Sequence, residues 1–203
     1  MPQPKPTSVA VDVNSARQGR TKAQWRQEVR TTRSSPPQDI ATAVIDGLAD
    51  YLTNSPGLIL FYRSMPGEIA LEPLADRIGW HWFAVTRTPE SGPLTIHPSI
   101  GAMEHHLYGF QQPTDGALEV PPHHISVFLV PSLALDRSGN RLGHGAGYYD
   151  ELLSRAPDDR PRIGVTTEEY LLEELPSEPH DIAMTHLATE LGVREVDHRA
   201  TSV

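Results

Sequence analysis

Two short apolar runs restrict the fold of this chain more than any other feature of its sequence. Residues 58–62 read LILFY, and residues 125–130 read ISVFLV. A short continuous apolar run is typical of a strand that is buried on both faces, as strands of parallel sheets are. Parallel strands are joined by crossover connections, which are usually helices. The two runs therefore predict a sheet that is covered by helices.

Segments with helical periodicity and further short apolar segments occupy most of the remaining chain. The second helix is predicted to begin with Ser35 as its N-cap and Gln38 closing a capping box, and to end near Leu52. The other predicted helices are 21–33, about 68–78, 148–154 and 168–175. The other predicted strands are 80–86, 94–97, 162–166 and 182–184. An ordered loop is predicted at 108–113. Trp80, Trp82 and Phe83 are predicted to lie in the core. This alternation predicts a mostly parallel sheet with helices on both sides.

Composition limits the class of protein. The chain has no cysteine, which excludes disulfides, thiol catalysis and cysteine-ligated metal centres. Its formal net charge of -9 disfavours nucleic acid as a partner. No apolar run approaches the ~20 residues of a membrane span, and the first residues lack the apolar segment of a secretory signal. We therefore expect a soluble, cytoplasmic protein that binds neither nucleic acid nor membranes.

The length of 203 residues predicts one folded domain between two tails. The domain is expected at residues 19–196. Residues 1–18 are rich in Pro, Ser, Gln and Asn and are predicted to be disordered. Residues 197–203 are predicted to form a C-terminal tail.

Positive charge is concentrated near the start of the chain. Residues 1–33 contain seven basic and two acidic side chains, although the whole chain has 17 basic and 26 acidic residues. Lys22, Arg26 and Arg30 are spaced so that they share one face of the first predicted helix. Such a stripe is either a solvated surface or a clamp for an anion, and the spacing leaves both open.

A glycine-rich loop follows the strand at 125–130. Residues 143–147 read GHGAG and lead into the helix at 148–154. Glycines allow close backbone approach to phosphate oxygens, and helix N-termini expose N–H groups that bind anions. The loop matches neither the P-loop pattern nor the dinucleotide fingerprint, so a structural turn remains an alternative to a phosphate site. Asp150, in the first turn of the helix, either complements the helix dipole or holds the magnesium of a nucleotide.

Residues 140–150, NRLGHGAGYYD, resemble the signature of 5-formyltetrahydrofolate cyclo-ligases (methenyltetrahydrofolate synthetases), in which the loop reads NRLGRGxGYYD. Other family features are matched in the same order along residues 21–194. They are a KxxxR pair (Lys22 and Arg26), a segment ending in Glu-Ile (residues 64–69), a GI-x-EP stretch (residues 109–113) and a late P-x-x-x-x-D (Pro176 and Asp181). The resemblance implies an α/β fold: a three-layer, Rossmann-like domain with a mainly parallel sheet flanked by helices.

The resemblance also implies the reaction. Family members convert 5-formyltetrahydrofolate and ATP to 5,10-methenyltetrahydrofolate, ADP and phosphate, with Mg²⁺ bound. The partners would thus be ATP, Mg²⁺ and a small folate. We expect a monomer, with a dimer as the alternative.

Site residues are carried over from the same matches. The ATP-binding residues would be Lys22, Arg26, Arg141, Gly143, His144, Gly145, Ala146, Gly147, Tyr148 and Tyr149. The folate-binding residues would be Arg63, Glu68, His144, Gly145, Gly147 and Tyr148. Lys22, Arg141 and His144 would act in catalysis, and Asp150 and Asp181 would hold the metal.

His144 is the main departure from the family pattern, because an arginine is usual at this position. A histidine cannot make the bidentate phosphate contact of an arginine. A non-catalytic paralogue that binds nucleotide or folate without turnover therefore stays open as an alternative. A sugar-phosphate isomerase, which would need no ATP, is a further alternative, because the fold of the family is related to that of such enzymes.

Overall fold

The computed structural model of the protein describes residues 19–53, 55 and 57–197. The predicted N-terminal tail lies outside the described residues, and so does the predicted C-terminal tail apart from Asp197.

The part of the chain that the structure describes contains four α-helices and twelve strands. The α-helices are α1 (Lys22–Thr32), α2 (Gln38–Leu52), α3 (Glu72–Ile78) and α4 (Tyr148–Ser154). The first six strands are β1 (Leu58–Phe61), β2 (Phe83–Arg87), β3 (Thr95–Pro98), β4 (Met103–His105), β5 (Gln111–Pro113) and β6 (Ile125–Pro131). They are followed by β7 (Ala134–Asp136), β8 (Arg141–Leu142), β9 (Arg162–Val165), β10 (Leu171–Leu172), β11 (His186–Thr189) and β12 (Gly192–Glu195).

The main sheet has seven strands in the order β12-β11-β9-β6-β1-β2-β3. Neighbouring strands from β11 to β2 pair in parallel, and the two edge strands, β12 and β3, pair antiparallel. The predicted mainly parallel α/β sheet is therefore confirmed. The carboxyl ends of the parallel strands meet at one edge, which is where ligands bind in open α/β sheets.

Alternate residues of the central strands supply two hydrophobic layers. Ile59 and Phe61 of β1 pack in one core with the apolar faces of α2 and α3, whereas Leu60 packs in the opposite core with Leu152 and Leu153 of α4. Side chains of successive strand residues point to opposite faces, so a run such as LILFY is buried on both sides. The three predicted layers are helix, sheet and helix.

Helix α1 packs on a second, smaller sheet of β10, β7 and β8. Its Trp25 and Val29 are buried against Leu133, Ala134 and Leu142. The turn between β7 and β8 is closed by Asp136, whose carboxylate accepts hydrogen bonds from the backbone N–H groups of two turn residues. This sheet places α1 beside the glycine-rich loop that follows β8.

Two helix starts differ from prediction. Helix α2 begins at Gln38 with Pro37 as its N-cap, and no side-chain cap is formed, so the predicted capping box at Ser35 is wrong. Helix α3 begins at Glu72 and not near Glu68. Residues 65–68 form a turn instead, because the carboxylate of Glu68 accepts the N–H of Met65 and the N–H of Glu68 bonds the carbonyl of Met65.

Two predictions near the end of the chain are also wrong. Residues 168–175 form one 3-10 turn (Glu168–Tyr170) followed by β10, which pairs with β7. Residues 182–184 are not a strand, because the N–H of Met184 bonds the carbonyl of Gly139. The strand of this region is β11, four residues later than predicted.

Two smaller differences concern the middle of the chain. The predicted loop at 108–113 contains β5, which pairs with β4 in a hairpin. Trp82 is 46% exposed and is not a core residue, whereas Phe83 is buried as predicted. Among the described residues, no helix combines the length and apolarity that crossing a bilayer requires.

His186 links α2 to β11 in its neutral form. Tyr51 Oη lies 3.1 Å from Nε2 of His186, and Thr185 Oγ1 lies 2.8 Å from its Nδ1. Burial lowers the pKa of His186 below its ordinary value of 6.5, although Glu195 opposes the shift. Between the two pKa values the unfolded chain binds more protons than the folded chain, so stability rises with pH there.

We therefore expect the free energy of unfolding to fall as the pH drops below about 6.5 and through the pKa of folded His186. In the variant His186→Phe this dependence becomes weaker, as measured by urea denaturation at several pH values. Tyr51→Phe is the matched control, because it removes the hydrogen bond and keeps the burial. An equal pH dependence in wild type and His186→Phe would contradict this account.

Candidate functional site

A cavity of about 890 Å³ opens at the carboxyl ends of β1, β2 and β6. Every residue that the sequence assigns to the site lines this cavity. These residues are Lys22, Arg26, Arg63, Glu68, Arg141, Gly143, His144, Gly145, Ala146, Gly147, Tyr148, Tyr149, Asp150 and Asp181. Residues up to 159 positions apart in sequence are thus brought together.

Lys22 begins α1 and reaches the far end of the chain. Thr21 caps the helix through a capping box with Gln24, which fixes the start of the helix and the position of Lys22. The ammonium group forms an ion pair with the Asp181 carboxylate and lies 3.3 Å from Oε2 of Glu178. Burial opposes ionisation of Asp181, but the hydrogen bonds from Lys22 and from the backbone of Glu178 lower its pKa. Asp181 is therefore ionised at neutral pH.

The other two basic residues of the stripe contact the glycine-rich loop. Arg26 Nε donates to the carbonyl oxygen of Gly143 at 2.9 Å, and Arg30 Nη2 donates to the carbonyl oxygen of His144 at 2.9 Å. All three basic side chains line the cavity. The stripe on α1 thus faces the glycine-rich loop and is not a plain solvated surface.

Backbone conformation and close contacts favour glycine at three positions of the loop. Gly145 and Gly147 have φ of 104° and 72°, a region that favours glycine. A Cβ at Gly143 would lie 2.6 Å from Nη1 of Arg141. In the part of the chain that the structure describes, the backbone N–H groups of residues 144–147 donate to no protein acceptor. Several donors are therefore available on a loop that lines the cavity.

Arg141 and Asp150 join the two ends of the loop. Arg141 Nη2 donates to Asp150 Oδ2 at 2.8 Å, and Oδ1 of Asp150 accepts the N–H of Ile182 at 3.2 Å. Both side chains are largely buried. The neighbouring Tyr149 is partly buried. Desolvation raises the pKa of its phenol, which lies 3.5 Å from Thr86 Oγ1. Asp150 thereby connects the loop to the segment that carries Asp181.

Glu68 lies in the turn after β1 and bonds His144. Its side chain is 3% exposed, and Nε2 of His144 lies 3.1 Å from Oε1. Its other oxygen accepts the N–H of Met65 at 2.8 Å. The histidine ring is thus turned toward the turn after β1 while its backbone carbonyl is held by α1. The Arg63 side chain is turned toward α3, because its Nη1 donates to Oε1 of Glu72 at 3.1 Å.

Several cavity residues were not predicted from the sequence. Arg87, the last residue of β2, bonds Glu104 of β4 at 2.9 Å, and Gln112 of β5 bonds the same carboxylate at 3.1 Å. The tip of the β4–β5 hairpin exposes Leu107 and Tyr108 at the cavity. No periodic pattern marks these residues, although Gln112 lies within the GI-x-EP match.

Asp181 belongs to a group of three potential metal ligands. Ligand atoms of Glu178, His180 and Asp181 lie within 4.8 Å of one another. This group does not include Asp150, which lines the same cavity and bonds the backbone of Ile182, next to Asp181. Carboxylate oxygens are the ligands that Mg²⁺ prefers. Asp181, whose pKa is lowered, is ionised at neutral pH and therefore suits a divalent cation.

Comparisons with known proteins agree on one family. The model of the 5-formyltetrahydrofolate cyclo-ligase family matches residues 20–190. A 5-formyltetrahydrofolate cyclo-ligase from Mycolicibacterium smegmatis is 34% identical over 185 residues, which cover 84% of this chain and 94% of the relative. The enzyme of the same name from Escherichia coli K12 is 27% identical over 148 residues, which cover 68% of this chain and 80% of the relative.

Solved structures agree with the sequence relatives. The NMR structure of 5,10-methenyltetrahydrofolate synthetase from Aquifex aeolicus has a TM-score of 0.71 at 25% identity and covers 86% of this chain and 92% of that one. A 5,10-methenyltetrahydrofolate synthetase from Mycoplasma pneumoniae has a TM-score of 0.66 at 17% identity and covers 83% and 98%. The second likeness concerns the fold alone.

Arg33, at the end of α1, anchors the turn that carries Glu68. Its Nε donates to the carbonyl of Gly67 at 2.7 Å, and its Nη1 donates to the carbonyl of Leu133. Arg33→Met removes both donors, and we expect the free energy of unfolding in urea to fall by about 2 kcal/mol.

The control is Arg137→Met, which removes an arginine that is 60% exposed and pairs with Glu173. Its effect is expected to stay below about 0.5 kcal/mol. If the two variants were equally stable, the anchoring role of Arg33 would be wrong.

Proposed function

Because this chain belongs to the 5-formyltetrahydrofolate cyclo-ligase family and is accordingly a ligase, we propose that it converts 5-formyltetrahydrofolate and ATP to 5,10-methenyltetrahydrofolate, ADP and phosphate. One observation carries the proposal. A cationic helix, a glycine-rich loop with available N–H donors, two ionisable aspartates and a buried glutamate all line one cavity. Both substrates are small molecules, and the proposed setting is the cytoplasm.

The reaction couples phosphoryl transfer to ring closure. The formyl oxygen attacks the γ-phosphorus of ATP, an O–P bond forms, and the bond to ADP breaks. N10 then attacks the formyl carbon, the C–O bond to phosphate breaks, and the N10 proton is lost. Phosphoryl transfer depends on positioning and charge neutralisation, so it needs no covalent nucleophile. That requirement suits a cysteine-free cavity rich in cations and N–H donors.

Lys22, Arg26 and Arg141 would bind the phosphates together with the N–H groups of residues 143–149. Lys22 is paired with Asp181 in the structure, so it would exchange that carboxylate for a phosphate oxygen. Arg26 uses only Nε for the Gly143 carbonyl, which leaves its other nitrogens for the ligand. Lys22 and Arg141 would neutralise the charge of the transferred phosphoryl group.

Asp150 and Asp181 would hold the magnesium ion. Each carboxylate offers about four lone-pair sites, so the bonds to Arg141 and Ile182 leave acceptor capacity on Asp150. When bound, the ion supplies positive charge to the phosphate oxygens. Asp181 is kept ionised by Lys22 and by the Glu178 backbone, which prepares it for this role.

Glu68 and Arg63 would bind the folate. Glu68 is buried at the cavity wall beside His144, so a donor group of the folate would meet an oriented acceptor there. Gly145, Gly147 and Tyr148 line the same cavity and would contact both ligands. The non-catalytic alternative rests on His144, which stands where the family has an arginine and whose ring bonds Glu68.

Formation of the methenyl product, followed by its near-ultraviolet absorbance in the presence of Mg²⁺ and ATP, is the test. We expect Lys22→Ala and Asp150→Ala each to lower turnover by about 10²-fold, because each removes one charged group at the transferred phosphate. Arg137→Ala, at an exposed ion pair, is the control and should keep wild-type turnover. Full activity in either site variant would overturn the site assignment. Binding of both substrates without product would favour the non-catalytic paralogue.

His144→Arg is expected to raise the affinity for ATP or the rate, because a guanidinium can form a bidentate phosphate contact that an imidazole cannot. Steady-state kinetics with varied ATP measure the effect. His144→Gln serves as the neutral comparison. An unchanged or lower value for His144→Arg would mean that the cavity has adapted to the Glu68–His144 pair.

A further inference from the structure

Arg30 has no role in the proposed function, although it belongs to the same stripe as Lys22 and Arg26. It lies on α1 two turns after Lys22 and lines the cavity. Its Nη2 donates to the carbonyl oxygen of His144 at 2.9 Å, across 114 residues of sequence. Arg30 is an exposed residue, and this bond is a long-range contact of a charged donor.

The contact determines the orientation of one peptide group. The carbonyl of His144 and the N–H of Gly145 belong to the same peptide, and in a trans peptide they point in opposite directions. No cis peptide occurs in the described residues. Since Arg30 holds the carbonyl toward α1, the N–H of Gly145 is directed away from α1. That N–H has no protein acceptor within the described chain.

An anchor matters at this point of the loop because a glycine has little backbone preference of its own. Gly145 has φ of 104°, and glycine has more conformational freedom than any other residue. Arg26 makes the equivalent contact one peptide earlier, at the carbonyl of Gly143. Arg26 and Arg30 therefore hold the carbonyl oxygens of two successive peptide groups toward α1.

We propose that Arg30 is a positioning residue, which binds the His144 carbonyl and thereby holds the N–H of Gly145 ready for a phosphate oxygen of the nucleotide. The inference rests on the proposed function. It assigns Arg30 an effect on the ligand-free loop. A direct contact of Arg30 with phosphate would instead appear only when nucleotide is bound.

The experiment combines nucleotide affinity with the backbone signal of Gly145. Affinity for a non-hydrolysable ATP analogue with Mg²⁺ is measured by calorimetry, and the amide resonance of Gly145 is followed by NMR with ¹⁵N-glycine. In Arg30→Met we expect affinity to fall about tenfold, the scale of one charge-assisted hydrogen bond. The Gly145 resonance of the ligand-free protein should shift, because its nitrogen shares the anchored peptide group.

Two further variants complete the design. Arg30→Lys keeps a cationic donor, so its affinity and its Gly145 resonance should lie between those of the wild type and Arg30→Met; it also serves if Arg30→Met does not fold. Gln27→Met, on an exposed part of the same helix, controls for changes in α1 and should match the wild type in both measurements.

Each outcome decides the matter. Lower affinity with an unshifted ligand-free Gly145 resonance would make Arg30 a direct phosphate ligand and overturn the positioning role. Unchanged affinity in Arg30→Met would also overturn it. If the wild type itself did not bind the analogue, the proposed function would fail, and this inference with it.

Discussion

The packing of Trp25 and Val29 against the small sheet is the contact on which the cavity depends. These two side chains are buried among Leu133, Ala134 and Leu142, so they fix both the position and the rotation of α1. Residues four apart share a helix face. Once the apolar strip is buried, the adjacent stripe of basic residues is directed toward the glycine-rich loop. Packing in one place therefore determines where the positive charge of the cavity lies.

The charged groups of the cavity are paired before any ligand arrives. Lys22 pairs with Asp181, Arg141 with Asp150, and His144 bonds Glu68. Partly buried charges are costly without partners, so this pairing keeps the ligand-free protein stable. It also means that ligands must replace existing partners. The charged side chains of the cavity are thus held in position before a ligand binds, and a ligand takes the place of their present partners.

Much of the main sheet could be predicted from the sequence, because its strands carry apolar residues on both faces. The run at 125–130 and the helix at 148–154 are found as predicted. The errors occur where side-chain or long-range contacts override local pattern. Glu68 accepts a hydrogen bond from the backbone of its own turn, so α3 begins later in the sequence than predicted. The apolar residues 182–184 read as a strand, but Met184 bonds Gly139, 45 positions earlier.

The site was predictable to the extent that it consists of short motifs. The spacing of Lys22, Arg26 and Arg30 places them on one face of a helix, but no spacing shows that two of them hold carbonyl groups of a distant loop. Arg26 and Arg30 bind main-chain carbonyl groups, so their contacts do not depend on which side chain is at position 144. Exchanging that residue alters which neighbour its side chain meets while the path of the loop is retained. The contact between Glu68 and the side chain at position 144 can therefore be altered without rebuilding the loop around it.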